Sequence, residues 1–282
     1  MESQTNIHRF FFVGIGGIGM SALAQYLHAQ GHHVTGSDRD ESPTVELLRS
    51  KGINVLIGHA PLSESYDTLV YSDAIPETAP ERVSAAERQI LQRSYFQLLG
   101  EISKTQRTIA VAGTHGKTTT TGMLTNILVH AEKKPTAIIG SIVRDFGSNC
   151  VLGDGSVFVV EACEYKNHLL QFNPQILVIT NLELDHTDFF PDLQTLQATF
   201  LSAIKNIQPG GTLVTNPNHP HIAPLLVGCA VHVVDYTAEH VGQLQHIGDF
   251  NRENAQAARA AARVAFPDIQ DVVAERALYD FK

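Results

Sequence analysis

The residues best suited to chemistry lie in the run VAGTHGKTTTTGML, where Gly116, Lys117 and Thr118 form a glycine–lysine–threonine core. An ammonium placed there reaches the β- and γ-phosphates of a nucleotide, and the threonine hydroxyl sits on Mg²⁺. A standard phosphate loop carries a glycine five positions before the glycine of Gly-Lys. That position is Val111 here, and the other glycine of the turn is Gly113. The surroundings fit a shortened loop: RTIAVAG reads as a strand, GTHGK as the turn, and TTTTGMLTNILVH as the helix. The bland alternative is a plain helix start with no ligand.

A second glycine loop lies near the amino terminus. Gly14, Gly16 and Gly19 of GIGGIGMS have the G-x-G-x-x-G spacing, after a strand and before a helix. Backbone N–H groups and the positive helix end can then face a diphosphate. Asp38, in TGSD, follows at the distance where a ribose hydroxyl is often held. The motif alone does not separate NAD, FAD and UDP-linked ligands, and the glycines also suit a tight turn with no ligand at all. Two nucleotide-type loops in one chain predict two different phosphorylated ligands.

These loops need strands and helices to hold them. HRFFFVGI, HVTGSD, NVLIG and DTLVYSDAI read as strands, with helices over GMSALAQYLHAQGH and TVELLRSKG. A polar, helix-prone segment over 81–104 follows, and alternation resumes at RTIAVAG. PTAIIGS, SVFVVEA, QILVITNL, GTLVTN and AVHVVDY read as further strands, and LQTLQATFLSAIKNI and NRENAQAARAAARVA as helices. Short buried strands alternating with helices predict an α/β fold with parallel sheets. The expected domains are 1–104 and 105–282.

At 282 residues, 43% hydrophobic and 17% charged, the chain has the composition of a soluble globular protein of about two domains. Its net charge of −9 argues against a nucleic-acid-binding surface. Cys150, Cys163 and Cys229 are odd in number and lack metal-ligand spacing, which fits a reducing cytoplasm. The start, MESQTNIHRFFFVGIGG, lacks a basic region and a cleavage site, and no apolar run is long enough to span a membrane. Nothing in the sequence speaks to oligomeric state.

The pairing of HRFFFVGIGGIGMSALA with AGTHGKTTTT resembles the Mur ligases, which use this short form of the phosphate loop. VTGSD, IGHAP and YSDAIP match the family's first domain. The resemblance implies a Rossmann-like UDP-sugar-binding domain followed by a P-loop-type α/β ATP-binding domain. Within the family, His115 points to the branch that adds L-alanine to UDP-N-acetylmuramate and to its murein-recycling relative. By that match Gly14, Gly16, Gly17, Gly19, Met20, Ser21, Asp38 and Ser72 take the UDP-sugar. Gly113, Thr114, His115, Gly116, Lys117, Thr118 and Thr119 take ATP. VVEACEYKNHLLQFNP and TNLELDHTDFF resemble the family's acidic and Asp-His segments. They imply Glu161 and His186, with Thr118, as Mg²⁺ ligands, and Lys117, Glu161 and His186 as the catalytic set. The alternative for Asp185 and Asp188 is that they merely cap the next helix. GDFNRENAQAA resembles the adenine-facing segment, giving Asn251 and Asn254, although a helix start at Asn251 competes.

The chain also departs from the pattern. Cys163 stands where the family has aspartate, Tyr165, Lys166, Asn167 and His168 replace its polar run, and Asp249-Phe250 replaces Arg-His. The link from VHVVDY to HIGDFN is short, and LYDFK falls where the family's third domain would begin. The resemblance therefore implies the first two domains with the C-terminal ligase domain absent: either a fragment of a longer ligase or a chain that does not ligate unaided. The reaction it implies is ATP-dependent amide formation through an acyl phosphate. The alternatives are a murein-tripeptide ligase and a two-domain nucleotide-binding remnant without ligase activity.

Overall fold

A computed structural model describes residues 7–245 and 248–282. The readings that rest on the first six residues and on the His246-Ile247 link lie outside them. The chain divides into two compact units, 1–99 and 100–282, so the division falls inside a helix.

In the first unit, β1 (Arg9–Val13), β2 (His33–Asp38), β3 (Asn54–Ile57), β4 (Thr68–Tyr71) and β5 (Leu91–Ser94) form one sheet. Its order is β3-β2-β1-β4-β5, with every pairing parallel. Parallel neighbours need crossovers, supplied by α1 (Ile18–Ala29), α2 (Pro43–Ser50) and α3 (Pro80–Glu87). The continuous apolar run Phe10–Val13 is buried on both faces, as a central parallel strand requires. Because β2 and β4 flank β1 on opposite sides, the glycine loop after β1 opens where strand order reverses.

The segment expected to be helical over 81–104 contains a strand. After α3 the chain forms β5 and then α4 (Tyr95–Lys104). β5 is the polar edge strand LQRS, of which Ser94 alone is buried. It carries no apolar alternation, so periodicity could not reveal it.

The second unit holds a seven-stranded sheet of β6 (Arg107–Ala112), β7 (Thr136–Val143), β8 (Ser148–Val151), β9 (Val157–Glu161), β10 (Ile176–Ile179), β11 (Thr212–Thr215) and β12 (His232–Asp235). The order is β12-β11-β10-β6-β9-β7-β8, parallel except for the β7–β8 hairpin. The phosphate loop leaves β6, the central strand.

α5 (Lys117–His130) follows that loop and is buried from Thr120 to Leu128. Its threonines are poor helix formers. Thr121 and Thr125 settle their hydroxyls on the carbonyls of Lys117 and Thr121, one turn back. α7 (Asp249–Ala265) packs along α5 through a face of buried alanines, whose small side chains permit close approach. α6 (Leu193–Lys205) is capped by Asp192, which accepts the Thr195 N–H at 2.7 Å. Neither Asp185 nor Asp188 supplies that cap. α8 (Asp271–Asp280), with β8, is an element the periodicity did not reveal. α7 begins at Asp249, with Gly248 rather than Asn251 at its cap position. No helix among the described residues is long and apolar enough to cross a membrane.

Candidate functional site

The first unit presents its glycine loop as a tight turn locked to β2. The amides of Gly14 and Ile15 donate to the Ser37 carbonyl at 2.8 and 3.0 Å. Gly14 has φ +77, a conformation that favours glycine. Gly16 donates its N–H to Asp38 Oδ2 at 2.7 Å, so the Asp38 carboxylate already holds the loop. A side chain at Gly19 would strike the ring of Tyr95, so that glycine permits close packing. Gly17 is exposed at the start of α1, and Ser72 lies beside Gly14 at the end of β4. Met20 and Ser21 are turned into the core, and Ser21 Oγ donates to the Ile18 carbonyl. The other residues assigned to the UDP-sugar gather at the carboxyl edge of the sheet.

The phosphate loop is laced to the loop after β10. Asn181 Oδ1 accepts the His115 N–H at 2.8 Å, and its Nδ2 donates to the His115 carbonyl at 3.1 Å. Thr180 Oγ1 donates to the same carbonyl at 2.6 Å. Thr114 Oγ1 donates to the Glu183 carbonyl and accepts its N–H, both at 2.9 Å. The expected TN segment thus contributes its first two residues as fasteners of the loop, a role that spacing alone did not reveal. Gly116 has φ +80, and a Cβ there would stand 2.1 Å from Asn254 Oδ1, so only glycine fits.

Behind the loop lies a cluster of charges. Thr118 Oγ1 donates to Glu161, 2.9 Å from Oε2 and 3.1 Å from Oε1, and Gly140 N–H donates to Oε2 at 2.9 Å. Burial pushes the Glu161 carboxyl up, and these two hydrogen bonds oppose the shift. Lys117 Nζ stands 3.1 Å from both oxygens of Glu164, a carboxylate whose side chain is 1% exposed. His186 Nε2 lies 3.7 Å from Glu164 Oε1, at a backbone φ of +51. Of the expected catalytic set, Glu161 therefore pairs with Thr118, whereas Lys117 and His186 share Glu164. Glu164 lies in VVEACEYKNHLLQFNP, where residue spacing alone assigns it no role. Cys163 sits among these groups, its thiol pushed up by burial and by the Glu164 charge.

The residues fit a magnesium ion. A hydroxyl and a carboxylate side by side at the phosphate loop are hard oxygen donors, and Mg²⁺ takes few protein ligands beside substrate phosphates. No group of three or more His, Cys, Asp or Glu that could hold a metal occurs among the described residues.

Two cavities flank the loop. One of about 400 Å³ is lined by His115, Gly116, Asn181, Tyr236, Phe250 and Asn254. The other, about 380 Å³, is lined by Thr118, Thr119, Ser141, Arg144 and Asn251, among others. Asn251 and Asn254, expected to face one adenine together, therefore line different cavities. Asn254 is buried and accepts a hydrogen bond from Thr120 Oγ1 at 3.3 Å.

A shortened phosphate loop on the central strand of a largely parallel sheet, in a chain whose other unit carries a second glycine loop, defines a two-unit α/β protein with two phosphate-type loops. Models of the Mur ligase family, catalytic domain, and of the Mur ligase middle domain match residues 9–107 and 111–241. The chain belongs to the Mur ligase family. It is 40% identical over 225 residues to the UDP-N-acetylmuramate--L-alanine ligase of Caldicellulosiruptor bescii, covering 78% of this chain and 49% of that one. It is 43% identical over 212 residues to the Caldicellulosiruptor saccharolyticus protein of the same name, covering 74% and 47%. The chain spans about half the length of these curated relatives. Among solved structures it resembles a UDP-N-acetylmuramate:L-alanyl-gamma-D-glutamyl-meso-diaminopimelate ligase from Neisseria meningitides, with a TM-score of 0.87, 27% identity and 98% of each chain covered. It also resembles UDP-N-acetylmuramate-alanine ligase from Thermotoga maritima, with a TM-score of 0.82, 26% identity, and 97% and 68% covered.

Proposed function

We propose that the chain is the sugar-nucleotide-binding and ATP-binding part of a cytoplasmic ligase that joins L-alanine to UDP-N-acetylmuramate in peptidoglycan precursor synthesis. The observation that carries this reading is the cluster of Lys117, Thr118, Glu161, Glu164 and His186 at the mouth of the phosphate loop. Kinship with the Caldicellulosiruptor alanine ligases supports the choice of substrates.

In this reading the first unit takes the UDP-sugar through Gly14, Gly16, Gly17, Gly19 and Ser72. Asp38 keeps the loop in shape. In the second unit Gly113–Thr119 receive the triphosphate, and Lys117 turns toward the transferred phosphate. Asn254 faces the adenosine side, and Asn251 lines the cavity on the metal side. Thr118 and Glu161, with His186 nearby, would hold Mg²⁺, which when bound supplies positive charge to the phosphate oxygens. The substrate carboxylate attacks the γ-phosphorus and ADP leaves, giving an acyl phosphate. The amine then attacks the acyl carbon and phosphate leaves. Phosphorylation is needed because a free carboxylate is a poor acylating agent. No protein nucleophile is required; the residues position two anions and screen their repulsion.

A second reading is a ligase of the murein tripeptide, favoured by the Neisseria structure, which matches this chain over 98% of both. The test is calorimetry with ATP, UDP-N-acetylmuramate and NAD in turn, each added alone to the folded chain. Independent saturable binding of both nucleotides supports the two-site reading. Binding of NAD in place of the UDP-sugar overturns it.

A further inference from the structure

Lys117 has three N–H donors and meets four acceptors: Gly113 O at 2.6 Å, Thr114 O at 3.1 Å and both oxygens of Glu164 at 3.1 Å. The contacts exhaust the donors of the ammonium, and the Lys117 side chain is only 14% exposed. Glu164 depends on it in turn. With its side chain 1% exposed, it also lies 3.7 Å from Nε2 of the His186 imidazole. The carboxylate lies just below the loop that would receive a triphosphate, with Glu161 close enough for the two charges to act on the same Cys163 thiol.

A nucleotide phosphate can engage Lys117 only by taking it from Glu164. That exchange leaves a buried carboxylate without its ammonium and brings a second anion beside it. Both effects oppose binding. We infer that Glu164 is the resting partner of Lys117, an internal carboxylate that occupies the ammonium until a nucleotide phosphate displaces it. Glu164 is thus a positioning residue that sets the threshold for nucleotide entry. The inference rests on the reading of Gly113–Thr119 as the triphosphate loop.

The test is ATP binding by calorimetry, without Mg²⁺, to the chain and to Glu164→Gln, Lys117→Met and the double variant, each checked for folding by circular dichroism. Glu164→Gln preserves the shape and the Lys117 contact but removes the charge. It should tighten metal-free ATP binding by roughly tenfold, about 1.4 kcal/mol. Much of that gain should vanish on the Lys117→Met background, because the carboxylate acts through the ammonium. Glu164→Asp, which withdraws the charge from Lys117, serves if Lys117→Met fails to fold; it should give a smaller gain of the same sign. Weaker binding by Glu164→Gln overturns the inference, because Glu164 would then be needed to place Lys117. An equal gain with and without Lys117 also overturns it, in favour of simple repulsion between anions. A parent chain that binds no ATP, with or without Mg²⁺, overturns the nucleotide site itself. A parent chain that binds while neither Glu164 variant gains affinity overturns this inference alone.

Discussion

The hydroxyl of Thr118 donates to Glu161 Oε2 at 2.9 Å, joining the first turn of α5 to the end of β9, 43 residues away. Two hard oxygen donors thereby meet at the phosphate loop. Glu161→Ala should lower Mg²⁺-dependent ATP affinity by at least the roughly tenfold that losing even an outer-shell metal partner costs. Metal-free ATP affinity should not fall. Titrating Mg²⁺ against a fixed ATP concentration checks this, and an unchanged Mg²⁺ dependence would reduce Glu161 to a structural acid.

Gly16 tolerates no side chain easily: a Cβ would lie 2.9 Å from Asp38 Oδ2 and 3.1 Å from Val45. Gly16→Asp would add a second carboxylate against the first and place negative charge where a diphosphate is expected. Binding of UDP-N-acetylmuramate should be lost and ATP binding spared, because the loops belong to different units. Loss of both from a chain that remains folded would sink the assignment of loops to ligands.

Asn181 grips the backbone of His115 from both sides. Asn181→Ala removes two hydrogen bonds, each worth about 1 kcal/mol, and so about 2 kcal/mol of support for the loop. ATP affinity should fall by about thirtyfold, the factor that 2 kcal/mol represents. UDP-sugar binding should be unaffected. Nucleotide titrations read the outcome, and equal loss of both ligands would point to unfolding instead.

Arg259 is 4% exposed and bridges Glu239, Asp271 and Glu275 while donating to the His240 carbonyl. Asp271 and Glu275 are 68% and 43% exposed, and Arg263 also pairs with Glu239 and Asp271, so solvent and a second cation compensate the acids in part. Arg259→Ala should destabilise the second unit by about 1 kcal/mol, chiefly through the lost contacts of the buried guanidinium. Denaturant unfolding measures it, and a change below about 0.5 kcal/mol, the range of an ordinary surface substitution, would show that the network contributes little.

Asp192 caps α6, and the hydrogen bonds from the Thr195 N–H and hydroxyl hold its carboxyl below the usual range. A carboxyl lowered in the folded state binds fewer protons there than in the unfolded chain. Its stabilisation is therefore complete above the ordinary carboxylate value of about 3.9 and is lost as pH falls through the folded value. Asp192→Ala should lower the melting temperature at neutral pH, and the difference should close in strong acid. A difference independent of pH would show that the cap does not act through its charge.

Sequence alone determined what local chemistry can specify. A glycine loop between a strand and a helix needs only its own few residues, so GIGGIGMS and GTHGK were legible, as were the apolar strands that carry them. The position of both loops at the carboxyl edge of a parallel sheet followed from the same alternation. Tertiary structure decided what depends on distant partners. β5 carries no apolar pattern of its own and forms by pairing with β4. Asn181 reaches His115 across 66 residues, and Glu164 reaches Lys117 across 47. Asn251 and Asn254 share the first turns of one helix, yet they line different cavities. Motif spacing encodes which groups are present at a loop. Which carboxylate holds which cation is settled by packing, because a buried charge takes the partner that the fold brings within reach.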